Sequence, residues 1–539
     1  MKIFNKSSKG YFLFCCIGIS IIYLLYLLSI KDSLLANSDS AYLVNRASQM
    51  LSCIKEGNIP FFYYKDFNGV GYGSSFFYGH LTLYPFLPFL LSDEITFLFV
   101  YICVAYIVNF IGAYMLARRL TKNYKFVTIM YMSSTFMFMF VLYIHMFVNL
   151  MGVGLGFIFL SYIIDYMREE SSKSLILSGL FYFLLINTHL LTSFICFLCC
   201  VMLLVYYFNK ERLKSYLRLV LYIIIICSYY IANFLYHISA LNDLGEINRL
   251  ILGSDNTIRN KFSISLFPFE YLGKCILRID NTGLCILDTI TLAFMLVLFF
   301  KNRKSFSKKH KLLLLVGVFL LIFSLSPVWN WFNLEVYMLP LQFSFRYLPF
   351  LLIVMYCLIL DKVKNKDLRT FMCSWSIFYL FIIMLVKISI HIPLYDKYES
   401  IGKYTGNGEY VTDRFICTQS EFELLSTRII DEDNIFYEYT EQDGKLIFSV
   451  NTDKDTYLTL PKLYYKGYVA YLNNKDELRI DEGYSQFIKV YVPQGSNGTI
   501  YCYYKHPAWL ILLDLFCLII VFMSCINLII ISKRKEKKQ

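Results

Sequence analysis

Charge is what this sequence lacks most. Only 17% of its 539 residues are Asp, Glu, Lys or Arg, against 57% hydrophobic, and mean hydropathy is +0.53. A soluble globule carries more charge than this. The several soluble domains that length alone would suggest are therefore excluded. Nucleotide chemistry has no foothold either: there is no Walker motif, no Rossmann fingerprint and no HExxH. No CxxC pair has a partner pair or nearby histidines, which argues against a zinc site. No small-residue cleavage site follows the first apolar run, Tyr11 to Ile30, so that run reads as a retained helix and not a signal peptide.

What is there is a series of apolar segments at 11–30, 94–117, 125–142, 148–167, 174–189, 191–208, 215–236, 283–300, 311–326, 346–361, 370–391 and 508–531. The expected fold is a mainly α polytopic membrane bundle of about 12 transmembrane helices with a C-terminal extracytoplasmic β-sandwich-like domain. The 16 cysteines lie mostly in apolar runs, where they act as small buried hydrophobes. The formal charge of +12 is distributed as a topology signal. "RRLTKNYK", "MREESSKS", "NKERLKSYLR", "KNRKSFSKKHK", "DKVKNKDLR" and the tail "SKRKEKKQ" all fall on one side if the N-terminus is cytoplasmic. The connections near His145, near His189 and at "SPVWNWFNLEVYMLP" carry no Lys or Arg. Alternating spans thus satisfy the positive-inside rule, with both termini cytoplasmic in a cell membrane. The tail reads as an orientation and anionic-lipid signal; nucleic acid is not an expected partner.

Three segments are then large and extracytoplasmic: 31–93, 237–282 and 392–507. The expected organisation is 1–391 membrane domain with the first loop 31–93, 392–507 β-rich domain, and 508–539 last helix and basic tail. In the β-rich part "NIFYEYTEQDGKLIFSVNT" alternates around "QDGK", a hairpin signal. Cys417 and Cys502 both lie there; whether they pair is open.

In the first loop, Asn37, Ser38 and Asp39 are all good helix N-caps. Leu43, Ala47, Leu51 and Ile54 follow at helical spacing, and Gly57 and Pro60 supply a stop. The spacing predicts an amphipathic helix over about 40–56, lying along the membrane surface. A second interfacial helix is expected over 80–91.

Asp39, its helix and "EGNIPFFYYKDFNGVGYGSSFFYGHLTLYPF" together resemble the first periplasmic loop of the bacterial YfhO-like membrane proteins, of the GT-C glycosyltransferase superfamily. "MLPLQFSFRYLPF", "GNGEYVTDRF" and "YYKGYVAYLNNKDELRI" with "SQFIKVYVPQGSNGTIYCYY" resemble further pieces of that family, in order. Ser344-Phe345 and Val411-Thr412 depart from it. The resemblance implies an inverting transferase. It would move a sugar from a polyprenyl-phosphate donor to a cell-envelope glycan or lipid, with membrane lipids as further partners. A base must take the acceptor proton and the departing phosphate must be stabilised. The family's first-loop carboxylate corresponds to Asp39. Arg346, one helical turn from Gln342, could hold a phosphate bidentately. No cofactor is implied with certainty; a divalent cation serves some members of the superfamily and not others.

Each residue has a plainer role beside this one. Asp39 could simply cap its helix, and a capping carboxylate is a poorer base. Arg346 could be an interface anchor. His80 and His189 could line an acceptor cleft or be structural. Asp32 suits a snorkelling position, Asp66 in "KDFNG" a turn, and His145 and Asn149 interhelical hydrogen bonds. "DED" at 431–433 reads as a charged turn. Two other functions stay open: a non-catalytic GT-C-like assembly or export factor, and a lipid-linked saccharide transporter, although no repeat or midplane helix break supports the latter.

Overall fold

A computed structural model of the chain describes residues 8–36, 38–77, 79–134, 147–239, 297, 307–323, 344–390 and 418–536. Gln342, His145, Cys417 and nearly all of the expected span 283–300 lie outside them.

Six of the described helices are long and apolar enough to cross a membrane. They are α1 (Ser8–Ser29), α3 (Glu94–Leu120), α5 (Phe147–Glu169), α8 (Leu213–Ile238), α11 (Lys366–Ile390) and α12 (Ala508–Glu536). Between them stand the shorter α4 (Tyr124–Met132), α6 (Ser172–Ile186), α7 (Leu190–Tyr206), α9 (Lys308–Phe323) and α10 (Leu348–Lys362). The protein is thus a multi-pass membrane protein. α5 is the central post, with 89% of its apolar window buried, while α12 at 11% is peripheral. α5 can be central because its "GVGLG" stretch lets a neighbour come close. A Cβ on Gly154 would stand 2.6 Å from Asn109 Cα of α3, the small-residue contact that helices use inside lipid.

Polar side chains gather at one end of this bundle. Arg119 Nη2 pairs with Asp165 at 2.6 Å, Arg212 Nε with Glu170 at 2.9 Å, and His310 Nε2 with Asp361 at 3.4 Å. Asn123 Nδ2 donates to Leu360 O, and Arg369 donates to Asn123. The ends of α3, α5 and α10 and the starts of α4, α8, α9 and α11 therefore meet on one side. The lysine- and arginine-rich connections were expected to share a face, and those described do. Asn149 joins α5 to α7 as an interhelical acceptor, taking the Thr192 hydroxyl at 2.8 Å.

The C-terminal region is a pair of five-stranded antiparallel sheets. Its strands are β1 (Ile429–Asp431), β2 (Phe436–Tyr437), β3 (Tyr439–Gln442), β4 (Lys445–Asn451), β5 (Thr456–Leu463), β6 (Tyr468–Leu472), β7 (Asp476–Leu478), β8 (Ile480–Glu482), β9 (Phe487–Val492) and β10 (Asn497–Tyr504). One sheet runs β2-β1-β5-β9-β8 and the other β3-β4-β10-β6-β7. The "QDGK" hairpin closes with Gln442 opposite Lys445, and Asp443 and Gly444 both take positive φ (51° and 75°), as a two-residue hairpin turn requires. Inward-facing Leu446, Phe448 and Val450 alternate with outward neighbours on β4. Cys502 is a buried free thiol. "DED" is a turn: Asp431 Oδ1 accepts from the amides of Asp433 and Ile435, and Oδ2 from the Tyr437 hydroxyl.

The first-loop helix, α2, runs Ser38–Lys55, close to the expected bounds. It does not lie on a surface. Leu43 and Ala47 are buried, but so are Asn45 and Arg46 on the other side, at 1% and 2% exposure. Periodicity marked one apolar face. It could not foresee that residues 61–80 fold back over the polar one. The stretch 80–91 forms a 3-10 turn, Leu81–Phe86, and a single helical turn, Leu87–Leu90.

Candidate functional site

The loop that follows α2 is held by polar contacts that only folding creates. Asp66 is fully buried. Its Oδ1 accepts from Asn45 Nδ2 and from the Phe67 amide, each at 2.8 Å. Its Oδ2 has no hydrogen-bond partner among the described residues. Burial pushes this carboxyl up to about 6, against the pull of Asn45, the Phe67 amide and the Arg46 guanidinium. Arg46 Nη2 donates to Gly79 O at 2.9 Å, tying α2 to the far end of the loop. Phe67 and Asn68 take positive φ of 53° and 56°. For a bulky Phe this is strained, and a stack on Phe422 at 4.8 Å holds it.

The β domain completes the grip. Lys462 of β5, its side chain 1% exposed, donates to Tyr64 O at 3.0 Å, to Gly69 O and to Glu441 Oε1 at 2.7 Å. Burial lowers its ammonium pKa, and Glu441 opposes that shift. The Leu463 amide donates to Val70 O at 2.9 Å. Phe62 packs on Tyr504, Tyr465 and Tyr468, with ring centroids 5.1–5.8 Å away. The first loop is therefore a solid layer between helix bundle and β domain.

Beneath this layer is a cavity of about 230 Å³ walled by the loop, α6, α8 and α12. His80 enters it from the loop and His506 from the segment that joins β10 to α12. Burial depresses His80 to about 3, helped by the Arg46 guanidinium, and His506 to about 4. Both imidazoles are neutral at physiological pH. His506 stacks on Phe61 at 4.1 Å with 6° between the rings.

The expected site residues separate into three groups. His80 lines the cavity. His189 does not: it is buried and caps α7, Nδ1 accepting from the Thr192 amide at 3.1 Å. Arg346, 7% exposed in the 3-10 turn Ser344–Tyr347 ahead of α10, is within electrostatic range of the His189 ring. Asp39 is the second residue of α2, inside the helix and not ahead of it; its side chain and Gln342 lie outside the described residues. Sequence reasoning missed Asn45, Arg46, Lys462, His506 and Asp514, and it read Asp66 as a turn without its burial. Only Arg46 and Asp514 carried a signal, as charges among apolar neighbours. Among the described residues no group of three or more His, Cys, Asp or Glu converges as a metal site would.

No family model matches the chain, and no curated protein matches its sequence. Among solved structures it is similar to ArnT from Cupriavidus metallidurans bound to undecaprenyl phosphate. The identity is 12% and the TM-score 0.41, over 71% of this chain and 72% of that one. The chain's own geometry carries the functional reading.

Proposed function

We propose that the protein is a membrane glycosyltransferase of the GT-C type. It moves a sugar from a polyprenyl-phosphate donor to a cell-envelope glycan or lipid. The observation that carries this is the first loop: a buried, cross-linked layer, with Asp39 in the first turn of its helix, set over a cavity among the membrane helices. A transferase that draws its substrates from lipid needs such a place, where water is excluded and a substrate is held for reaction.

In this reaction the acceptor hydroxyl oxygen attacks the anomeric carbon, and its proton passes to the Asp39 carboxylate. The bond from that carbon to the lipid phosphate oxygen breaks, inverting the centre, and the phosphate departs with the electron pair. Arg346 is the cation for that phosphate; a guanidinium offers two parallel donors to its oxygens. The resemblance of the first loop to the YfhO-like proteins supports the same assignment. The β domain is extracytoplasmic in this scheme and both termini are cytoplasmic.

The test is transfer of a labelled sugar from a polyprenyl-phosphate donor to envelope acceptors by the purified chain. Asp39→Asn should lower the rate at least a hundredfold at normal protein level and unchanged donor binding. Undiminished transfer by this variant would remove Asp39 as the base, and no transfer by the wild type would favour the assembly-factor alternative. Addition of a chelator to the wild type reports on a divalent cation independently.

A further inference from the structure

The cavity under the first loop has a chemistry of its own. Two imidazole nitrogens, His80 Nδ1 and His506 Nε2, are buried in its wall with no hydrogen-bond partner among the described residues. The His506 side chain is 5% exposed, and the nearest acid oxygen, Asp514 Oδ2, is 3.8 Å from its Nε2. Asp514 belongs to the second turn of α12, where a carboxyl within a membrane helix marks a functional position by default. Its Oδ1 takes a hydrogen bond from Asn233 of α8 at 3.2 Å. Neutral imidazoles, a carboxyl and an amide thus surround the space. Among the described residues no lysine or arginine lines it. Apart from Ser75 and Asn187, the remaining wall is mainly apolar and aromatic. It ends at Leu515 and Leu518, half exposed on the outer face of α12 beside Leu512. In a bilayer that face meets lipid.

We propose that this cavity binds the uncharged, hydroxyl-bearing head of a lipid that enters sideways past α12. Among the described residues no cation lines the wall to pair with a phosphate head, and burying a phosphate beside Asp514 would be strongly unfavourable. A head of vicinal hydroxyls matches what the wall offers. Its O–H groups donate to imidazole nitrogen and carboxyl oxygen, its oxygens accept from the amide, and its C–H face covers the aromatic rings. A buried polar atom without a partner is destabilising, so the two imidazoles favour an occupant that bonds to them. The apolar tail remains between α8 and α12 in the membrane. Calling this lipid the sugar acceptor rests on the transferase reading; its binding does not.

The test is native mass spectrometry of the full chain in micelles with three probes: monoglucosyl diacylglycerol, diacylglycerol and phosphatidic acid. We expect one monoglucosyl diacylglycerol per chain, held at least tenfold more tightly than diacylglycerol and not displaced by phosphatidic acid. His506→Phe keeps the stack on Phe61 and removes the nitrogens. Leu518→Trp fills the mouth without touching a polar group. Each should weaken binding tenfold or more. Equal affinity for diacylglycerol, preference for phosphatidic acid, or full binding by both variants overturns the proposal. Sugar transfer, assayed separately, distinguishes the failures: transfer without such binding removes this site alone, and binding without transfer to any acceptor removes the transferase reading.

Discussion

Asp66 shows how far a residue's role can depend on what folds over it. In the sequence it is an acid in "KDFNG", a turn like many others, and it does make that turn. In the folded chain it is sealed beneath the loop with one oxygen unbonded among the described residues, and burial raises it to about 6 from an ordinary 3.8. A carboxyl raised in this way is held more tightly as the acid in the folded protein. Its stabilising effect is present at low pH and is lost as pH rises through 6. His80 and His506, depressed to about 3 and about 4, act the other way and withdraw stability as pH falls below 6.5. Asp66→Asn keeps the acceptor for Asn45 and the Phe67 amide and cannot ionise. It should therefore melt higher than wild type at pH 8, by up to about 3 kcal/mol, with the difference gone near pH 4. Melting curves in micelles at both pH values check this, and a variant that melts lower at pH 8 contradicts the sign.

At the scale of elements, two contacts hold the molecule's layers. The first is α3 against α5. Gly154→Leu drives a side chain into the backbone of α3 at Asn109. It should destabilise by about 2 kcal/mol or more, seen as a lower melting temperature, whereas Gly18→Leu on the open face of α1 should change little. The second is Lys462 of β5 against the first loop. Lys462→Met preserves length and loses three hydrogen bonds, with a cost of about 3 kcal/mol for breaking a buried charged cluster. Hydrogen exchange should quicken at the Leu463 and Tyr72 amides and stay unchanged in α5. Uniform acceleration would show instead that loop and bundle unfold as one. Neither contact is visible as a motif. A glycine stretch and a strand lysine become joints because of the surfaces they meet.

The whole molecule has two unlike ends. One gathers Arg119, Asp165, Glu170, Arg212 and Asp361. The other carries the first loop and the β domain. On the proposed topology, which follows the positive-inside rule, the first end faces the cytoplasm. A cysteine at Asp453, exposed in the turn before β5, should react with a membrane-impermeant maleimide in right-side-out vesicles. A cysteine at Glu211, exposed before α8, should react only in inverted ones. The reverse pattern would invert the topology and remove Asp39 and the cavity from the outer leaflet.

The sequence by itself determined the solvent and the elements. Scarcity of charge required a bilayer, apolar run lengths marked the helices, Lys and Arg placement marked the connections that gather at one end, and "QDGK" fixed a hairpin. These are local quantities, summed along a chain whose neighbours in sequence are neighbours in space. Tertiary structure alone decided what the polar side chains do. His189 became a cap because α7 starts there. Asn45 and Arg46 became buried ties because residues 61–80 fold over α2. His506 and Asp514 came to share a wall with His80, more than four hundred residues earlier in the chain, because the β domain returns the chain to the membrane beside the first loop. Burial and partnership belong to pairs of surfaces, and no single stretch of sequence contains both members of such a pair.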